Sequence, residues 1–321
     1  MKMRKMIAGL LITAMSTMIL TGCSAKDEVF HIGVNQYVTH AALDASYKGF
    51  VDALAEAGYI DGENIKIDLQ NAQGDQATAS TIATKLVNDN NDLILAIATP
   101  SAQAVANATK DIPILITAVT DPADSGLVAS NEAPGGNVSG TSDLTPIKNQ
   151  IELLTKLVPD AKNIAILYCS SESNSKIQAE IAVEAATELG ITTMDATVSN
   201  SNEIQQVVQS LVGKVDAIYA PTDNIIASGM PTVALVANDN GIPIICGEEG
   251  MVEAGGLATY GIDYYKLGRI TGEQAVQIIK GEATTDKMPI GYLPDDQYAL
   301  KINDEVAAKL GITIPAELQT K

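Results

Sequence analysis

Histidine and cysteine are almost missing from this 321-residue chain, which holds two of the first and three of the second. A disulfide-dense secreted scaffold is excluded by that count, since Cys23 closes an N-terminal apolar run and only Cys169 and Cys246 remain beyond it. Each of these follows an apolar stretch, so they either pair or sit as small buried thiols, the second being the favoured reading. No HExxH, GxSxG, CxxC or phosphate-loop pattern occurs. A serine–histidine nucleophile would have to use His31 or His40, and neither has a neighbouring carboxylate that sequence can place as its orienting partner. His31 falls in an expected strand and reads as structural, whereas His40 lies in a loop where a ligand contact is open to it. The carboxylates do not have EF-hand spacing, so most read as solvated surface. Neither an enzyme, a cofactor nor a metal site is expected.

Cations are the other shortage, with 20 Lys and Arg against 39 Asp and Glu. Residues 1–22 carry Lys2, Arg4 and Lys5 and no acid, so the chain without them has a net charge of 17 − 39 = −22. That balance argues against nucleic acid and against adhesion to anionic lipid surfaces. What the N-terminus does hold is a basic start, an apolar run from Met6 to Leu20 and the ending Leu20-Thr21-Gly22-Cys23. This is the form of an export signal, and its ending resembles the bacterial lipobox, in which the cysteine becomes a lipidated N-terminus. The expectation is a signal peptide over 1–22, a lipidated linker over 23–28 with Cys23 as anchor, and an extracytoplasmic body on the outer face of the cytoplasmic membrane. No second apolar stretch is long enough for a membrane span.

Along the body, short β-rich runs alternate with helical patterns: Val29 to Gln36, Leu93 to Ala98 and Pro113 to Val119 among the strands, Ala42 to Ala57, Ile147 to Leu157 and Tyr264 to Lys280 among the helices. Such alternation predicts parallel sheets with helical crossovers. The segment from Asp92 through Ile116 has a counterpart from Asp216 through Ile245, each an apolar run, a helix and a second run entered by Ile-Pro-Ile. Two similar Rossmann-like open α/β lobes are expected, joined by a multi-strand hinge, one over 29–142 plus about 264–297, the other over 143–263 plus about 298–321.

In open parallel sheets the ligand crevice lies beyond the carboxyl ends of the strands. The post-strand loops supply the candidates there: Gln36 and His40; Thr99, Ser101 and Ala102; Val119, Thr120 and Asp121; Ser170, Ser171, Glu172, Asn174 and Ser175; and Thr222, Asp223 and Asn224. Ser142 and Asp143 fall where the chain first crosses between lobes, and Asp143 is the weaker candidate because a hinge residue need not touch ligand. The hydroxyl of Ser101 and the free amides beside it can hold a carboxylate, though a plain helix cap is an equal alternative. An Asx turn is the alternative for Asp121, and helix capping for the second-lobe serines and Asn174.

These loops resemble those of the ABC transporter substrate-binding family, whose members include tryptophan- and phenylalanine-binding lipoproteins. The likeness is carried by Gly33-Val34-Asn35-Gln36 with His40 and Leu43-Asp44, Asn71-Ala72-Gln73-Gly74-Asp75, Ala96 to Gln103, Ala118 to Pro122, Gly136 to Gly140, Glu172 to Ser175 and Thr222-Asp223-Asn224. The resemblance implies the type I periplasmic-binding-protein fold, with one ligand held between lobes that close on it, and permease and ATPase subunits as partners of a monomeric receptor. None of the candidate loops contains Lys or Arg, so a phosphate or dicarboxylate would be repelled, while an amino-acid zwitterion suits them. Its ammonium would meet Glu172, Asp121 or Asp223, and its side chain an apolar wall drawn from Tyr37, Val38, Val119 and Tyr264. The resemblance points independently to a hydrophobic, aromatic L-amino acid. A secreted α/β enzyme and a sensor subunit are the alternatives that sequence leaves open.

Overall fold

The computed structural model describes residues 29–319. The signal-peptide and Cys23 readings lie outside the described residues. The first sheet holds β1 (Phe30–Gln36), β2 (Ile65–Asn71), β3 (Leu93–Ile97), β4 (Ile114–Val119) and β5 (Val138–Ser142), all parallel in the order β2-β1-β3-β4-β5. Helices α1 (Ala41–Glu56), α2 (Gln76–Asn88) and α3 (Thr99–Ala108) supply its crossovers. Every residue of β3 and β4 is buried, which is why they read as apolar runs, broken in β4 only by Thr117: a parallel strand covered by helices on both faces has no polar side.

The second sheet follows α4 (Ile147–Leu157) and contains β6 (Asn163–Cys169), β7 (Thr192–Val198), β8 (Ala217–Ala220), β9 (Ile244–Cys246), β10 (Ala258–Gly261) and β11 (Ala299–Ile302). Its order is β11-β10-β9-β8-β6-β7, parallel except that β11 runs against β10. Between these strands lie α5 (Ser173–Glu188), α6 (Ile204–Leu211), α7 (Asn224–Ser228), α8 (Met230–Asp239) and α9 (Glu249–Glu253). After β10 the chain returns to the first sheet as α10 (Tyr264–Ile279), which packs on α1, β4 and β5. It then runs beside β5, where the Ser142 amide donates to Gly291 O at 2.9 Å, before re-entering the second sheet at β11 and ending on α11 (Asp304–Leu310).

The α1–α10 contact is unusually close because glycines line it. A methyl group on Gly268 would lie 1.9 Å from the Ser46 carbonyl oxygen, and one on Gly49 would lie 2.0 Å from that of Tyr265. Around this seam Arg269 grips Glu56 through two hydrogen bonds, and the Tyr265 hydroxyl donates to Asp52. The returning helix is thereby fixed to the first lobe, and with it the position of Tyr264 at its opening turn.

Strands β5 and β10 are not apparent from apolar pattern. Val138-Ser139-Gly140-Thr141-Ser142 and Ala258-Thr259-Tyr260-Gly261 are too polar and small to read as core, yet eight of their nine residues are buried. Cys169 and Cys246 are buried free thiols.

Candidate functional site

The strands of both sheets end facing a common pocket. One side is made by His40, Leu43, Ala118, Thr120, Asp143 and Tyr264, the other by Asn174, Thr222, Asp223, Asn224, Ala227 and Glu248. Backbone strain shapes its rim. Ala98 and Ala118 adopt φ of +79° and +55°, in the region that side chains disfavour, at the adjoining ends of β3 and β4. The β4–β5 register shifts between Ile116 and Val119, an irregularity that re-aims Ala118 and Thr120 toward the pocket. Ser142 Oγ donates to the Thr120 carbonyl at 2.7 Å and braces the turned loop.

Polar contacts cross the pocket. Gln178 Nε2, on α5, donates to Thr120 Oγ1 at 3.3 Å; Gln76 Nε2 donates to the Ser171 carbonyl at 2.7 Å; Gln103 Nε2 donates to Ser173 Oγ at 3.2 Å. The two sides are therefore closed on each other. In this arrangement the free cavity is about 20 Å³, roughly one water, so a larger molecule fits only if the surrounding groups move.

Three polar atoms of the pocket residues are shielded from solvent without a hydrogen-bond partner: His40 Nδ1, Asp143 Oδ1 and Asn174 Oδ1. All three are acceptors if His40 carries its proton on Nε2. A buried polar group without a partner costs about 1–3 kcal/mol, so three around one pocket mark a place built for a donor-rich guest. Asp143 is 4% exposed, and its other oxygen accepts from the Tyr264 hydroxyl at 2.7 Å.

The remaining carboxylates have internal partners. Asp223 caps α7, accepting from Ile226 N with one oxygen and from Cys169 N and Ser175 Oγ with the other. Glu172 accepts from Ile225 N at 3.1 Å and from Asn224 Nδ2 at 2.5 Å, and Glu248 accepts from Gly250 N and Met251 N. Asp121 Oδ1 accepts from Ala123 N, Asp124 N and Asn131 Nδ2, the Asx-turn arrangement, away from the pocket lining.

Of the residues singled out from sequence, His40, Thr120, Asp143, Asn174, Thr222, Asp223, Asn224 and Tyr264 line the pocket. The others are placed around it. Gln36 Nε2 donates to Val38 O and Asp44, Ser101 Oγ to Asn35 Oδ1, and Ser170 Oγ to Val198 O. Thr99 is buried with its hydroxyl unpartnered, Ala102 and Val119 are fully buried, and Ser171 Oγ lies 3.1 Å from Cys169 Sγ. Of the expected apolar wall only Tyr264 lines the pocket; the Tyr37 hydroxyl donates to Gly74 O, and Leu43, Ala118 and Ala227 supply the apolar surface instead. Glu248 also joins the lining, as the capping residue of a short helix that sequence pattern does not reveal.

Burial dominates the titration of the site. It raises Glu172 to about 8, helped by the charge of Asp223, and raises Glu248 to about 7 and Asp143 to about 6. It lowers His40 to about 4, so the imidazole is neutral at pH 7. An acid whose folded pKa is raised keeps a proton that the unfolded chain releases, so stability falls as pH rises through the interval between the two values. His40 acts oppositely between about pH 4 and 6.5, where unfolding takes up its proton. The clean window is therefore about pH 7–8.5, where the His40 effect has faded and the raised acids Glu172, Glu248 and Asp223 act in one direction. The denaturation midpoint is expected to drop steadily across it at constant ionic strength, and a flat or rising midpoint would contradict the burial of these acids.

Two α/β lobes with a polar pocket closed between their sheets make the type I periplasmic-binding-protein architecture. The chain belongs to the family of ABC transporter substrate binding proteins, whose profile matches residues 31–321. It is 46% identical to a tyrosine-binding protein of Clostridioides difficile strain R20291, over 96% of this chain and 93% of that protein. Among solved structures, it is similar to an ABC domain in complex with L-Trp from Streptococcus pneumonia, at 44% identity and a TM-score of 0.86, covering 90% of this chain and 97% of that one. The ligand-free, open structure of a Clostridium difficile substrate binding protein with adhesive properties superposes less well, with a TM-score of 0.67 despite 49% identity over 90% of this chain and 97% of that one.

Proposed function

We propose that this chain is the extracytoplasmic receptor of an ABC importer, holding an aromatic L-amino acid between its lobes. The observation that carries the reading is the set of unpartnered acceptors on one cation-free pocket, with the carboxylate oxygen of Asp143 among them. An ammonium group supplies three N–H donors and the positive charge that the site lacks. Asp143, not Glu172, Asp121 or Asp223, is the group to receive it, because the other three already accept hydrogen bonds from the protein with the oxygens described above. The ligand carboxylate would lie toward the first turn of α3, where a helix N-terminus has free amides, the Thr99 hydroxyl is unpartnered, and Ala98 adjoins the pocket residue Ala118. Leu43, Ala118, Ala227 and the Tyr264 ring offer the side chain an apolar seat. The tyrosine-binding relative and the L-Trp complex support an aromatic side chain there.

Delivery follows from closure: the ligand-bound, closed form is the one a permease distinguishes from the open form. Anchoring would come from lipid on Cys23. A Cys23→Ser protein should fold but leave the membrane fraction, and firm membrane retention of that variant would refute the anchor.

The ligand test is calorimetry on ligand-stripped protein with L-amino acids, sugars, nucleosides and phosphorylated metabolites. Binding is expected among aromatic amino acids. Asp143→Asn should weaken it by an order of magnitude or more, since a charge-assisted hydrogen bond contributes roughly 1.5–3 kcal/mol. Tight binding of a sugar or phosphate with none of an amino acid would overturn the reading.

A further inference from the structure

His40 holds a hydrogen-bonding atom that the ammonium does not need. It caps the approach to α1 in extended conformation, with no side-chain bond to the helix it precedes. Its Nε2 lies 3.4 Å from Asn224 Oδ1 on the opposite side of the pocket. With Asn224 Nδ2 donating to Glu172 Oε2 at 2.5 Å, Oδ1 faces the imidazole. Facing an acceptor, Nε2 must carry the ring proton, and the low pKa of the buried ring keeps a second proton off. Nδ1 is then a bare acceptor, shielded from water and without a partner.

Two features separate His40 from the ammonium position. Asp143 carries the charge that attracts a cation, and Asn174 Oδ1 supplies a second unpartnered acceptor; its amide nitrogen is turned away onto the Thr222 carbonyl at 3.1 Å. The hydroxyls of Thr120 and Thr222 line the same pocket and complete an ammonium shell. His40 is uncharged, and Leu43 in the first turn of the same helix lines the pocket with it. A neutral acceptor with an apolar neighbour suits the polar end of an aromatic side chain.

Resting on the amino-acid reading above, we propose that His40 is a specificity-determining residue: its Nδ1 accepts a hydrogen bond from the phenol O–H or indole N–H of the ligand, so the receptor selects tyrosine or tryptophan over phenylalanine. The selectivity arises from the cost of the wrong ligand. Phenylalanine would close the pocket over a buried acceptor and offer it nothing, and sites built to bond a polar hydrogen reject analogues that lack it far more strongly than apolar pockets reject a missing methylene.

The experiment titrates L-Tyr, L-Trp and L-Phe into the ligand-stripped wild-type chain, His40→Phe and His40→Gln. In the wild type, at least one of tyrosine and tryptophan should bind tenfold or more tighter than phenylalanine. His40→Phe should erase that preference by weakening the favoured ligand while leaving phenylalanine unchanged or improved, and His40→Gln, which keeps an acceptor, should restore part of it. Equal wild-type affinities would overturn the proposal without touching the amino-acid reading. So would an equal loss for all three ligands in His40→Phe, which would place the imidazole on the ammonium. Failure of all three to bind the wild type would sink both.

Discussion

Negative charge without a protein counter-ion is the constraint around which this molecule is organised. Asp143, Glu172, Asp223 and Glu248 are all buried near one pocket, and among the described residues no Lys or Arg forms an ion pair with any of them. A buried carboxylate is tolerated only when protonated, when hydrogen-bonded from several sides, or when a cation arrives. Glu172, Asp223 and Glu248 take the first two routes, using backbone amides at helix starts. Asp143 accepts from the Tyr264 hydroxyl with one oxygen, and its other oxygen has no hydrogen-bond partner. It is the position at which an incoming cation gains most.

The rest of the fold serves to bring that oxygen and its opposing groups together. Asp143 sits just beyond β5 as the chain leaves the first sheet, and Tyr264 opens the helix by which the chain returns. Their hydrogen bond thus ties the outgoing passage to the incoming one. Glycines at the α1–α10 seam let the returning helix approach within backbone contact, which fixes Tyr264. From the other lobe, the Gln178 amide bridges Thr222 and Thr120, joining the loop after β8 to the loop after β4. These contacts join loop and helix ends of the two lobes and involve neither hydrophobic core.

Much of this was legible in the chain, and the boundary of what was legible is physical. The alternation of apolar runs and helical patterns and the internal repeat pointed to two open α/β lobes, since buried parallel strands must be apolar on both faces. Six of the residues named in the post-strand loops line the pocket, and Asp143, named at the lobe crossing, and Tyr264, named for the apolar wall, line it with them. Which carboxylate stays unpartnered was not legible. Asp143 meets Tyr264 across 121 residues, and Glu172 is occupied by amides 52 and 53 residues away, so local pattern ranked the two in the opposite order. Strands β5 and β10 were hidden for a related reason: their small polar residues are buried by neighbours distant in sequence.

The most direct measurement is proton release on binding. An ammonium beside Asp143 lowers a carboxyl raised to about 6, so the complex must release protons near that pH. Calorimetric titration with L-tyrosine or L-tryptophan in buffers of different ionisation enthalpy reads this number. Release is expected to be about half a proton at pH 6, to be largest below pH 6, between the bound and free pKa values of Asp143, to be small by pH 8, and to be lost in Asp143→Asn. Tight binding with no proton release at pH 6, or release unchanged in Asp143→Asn, would contradict it.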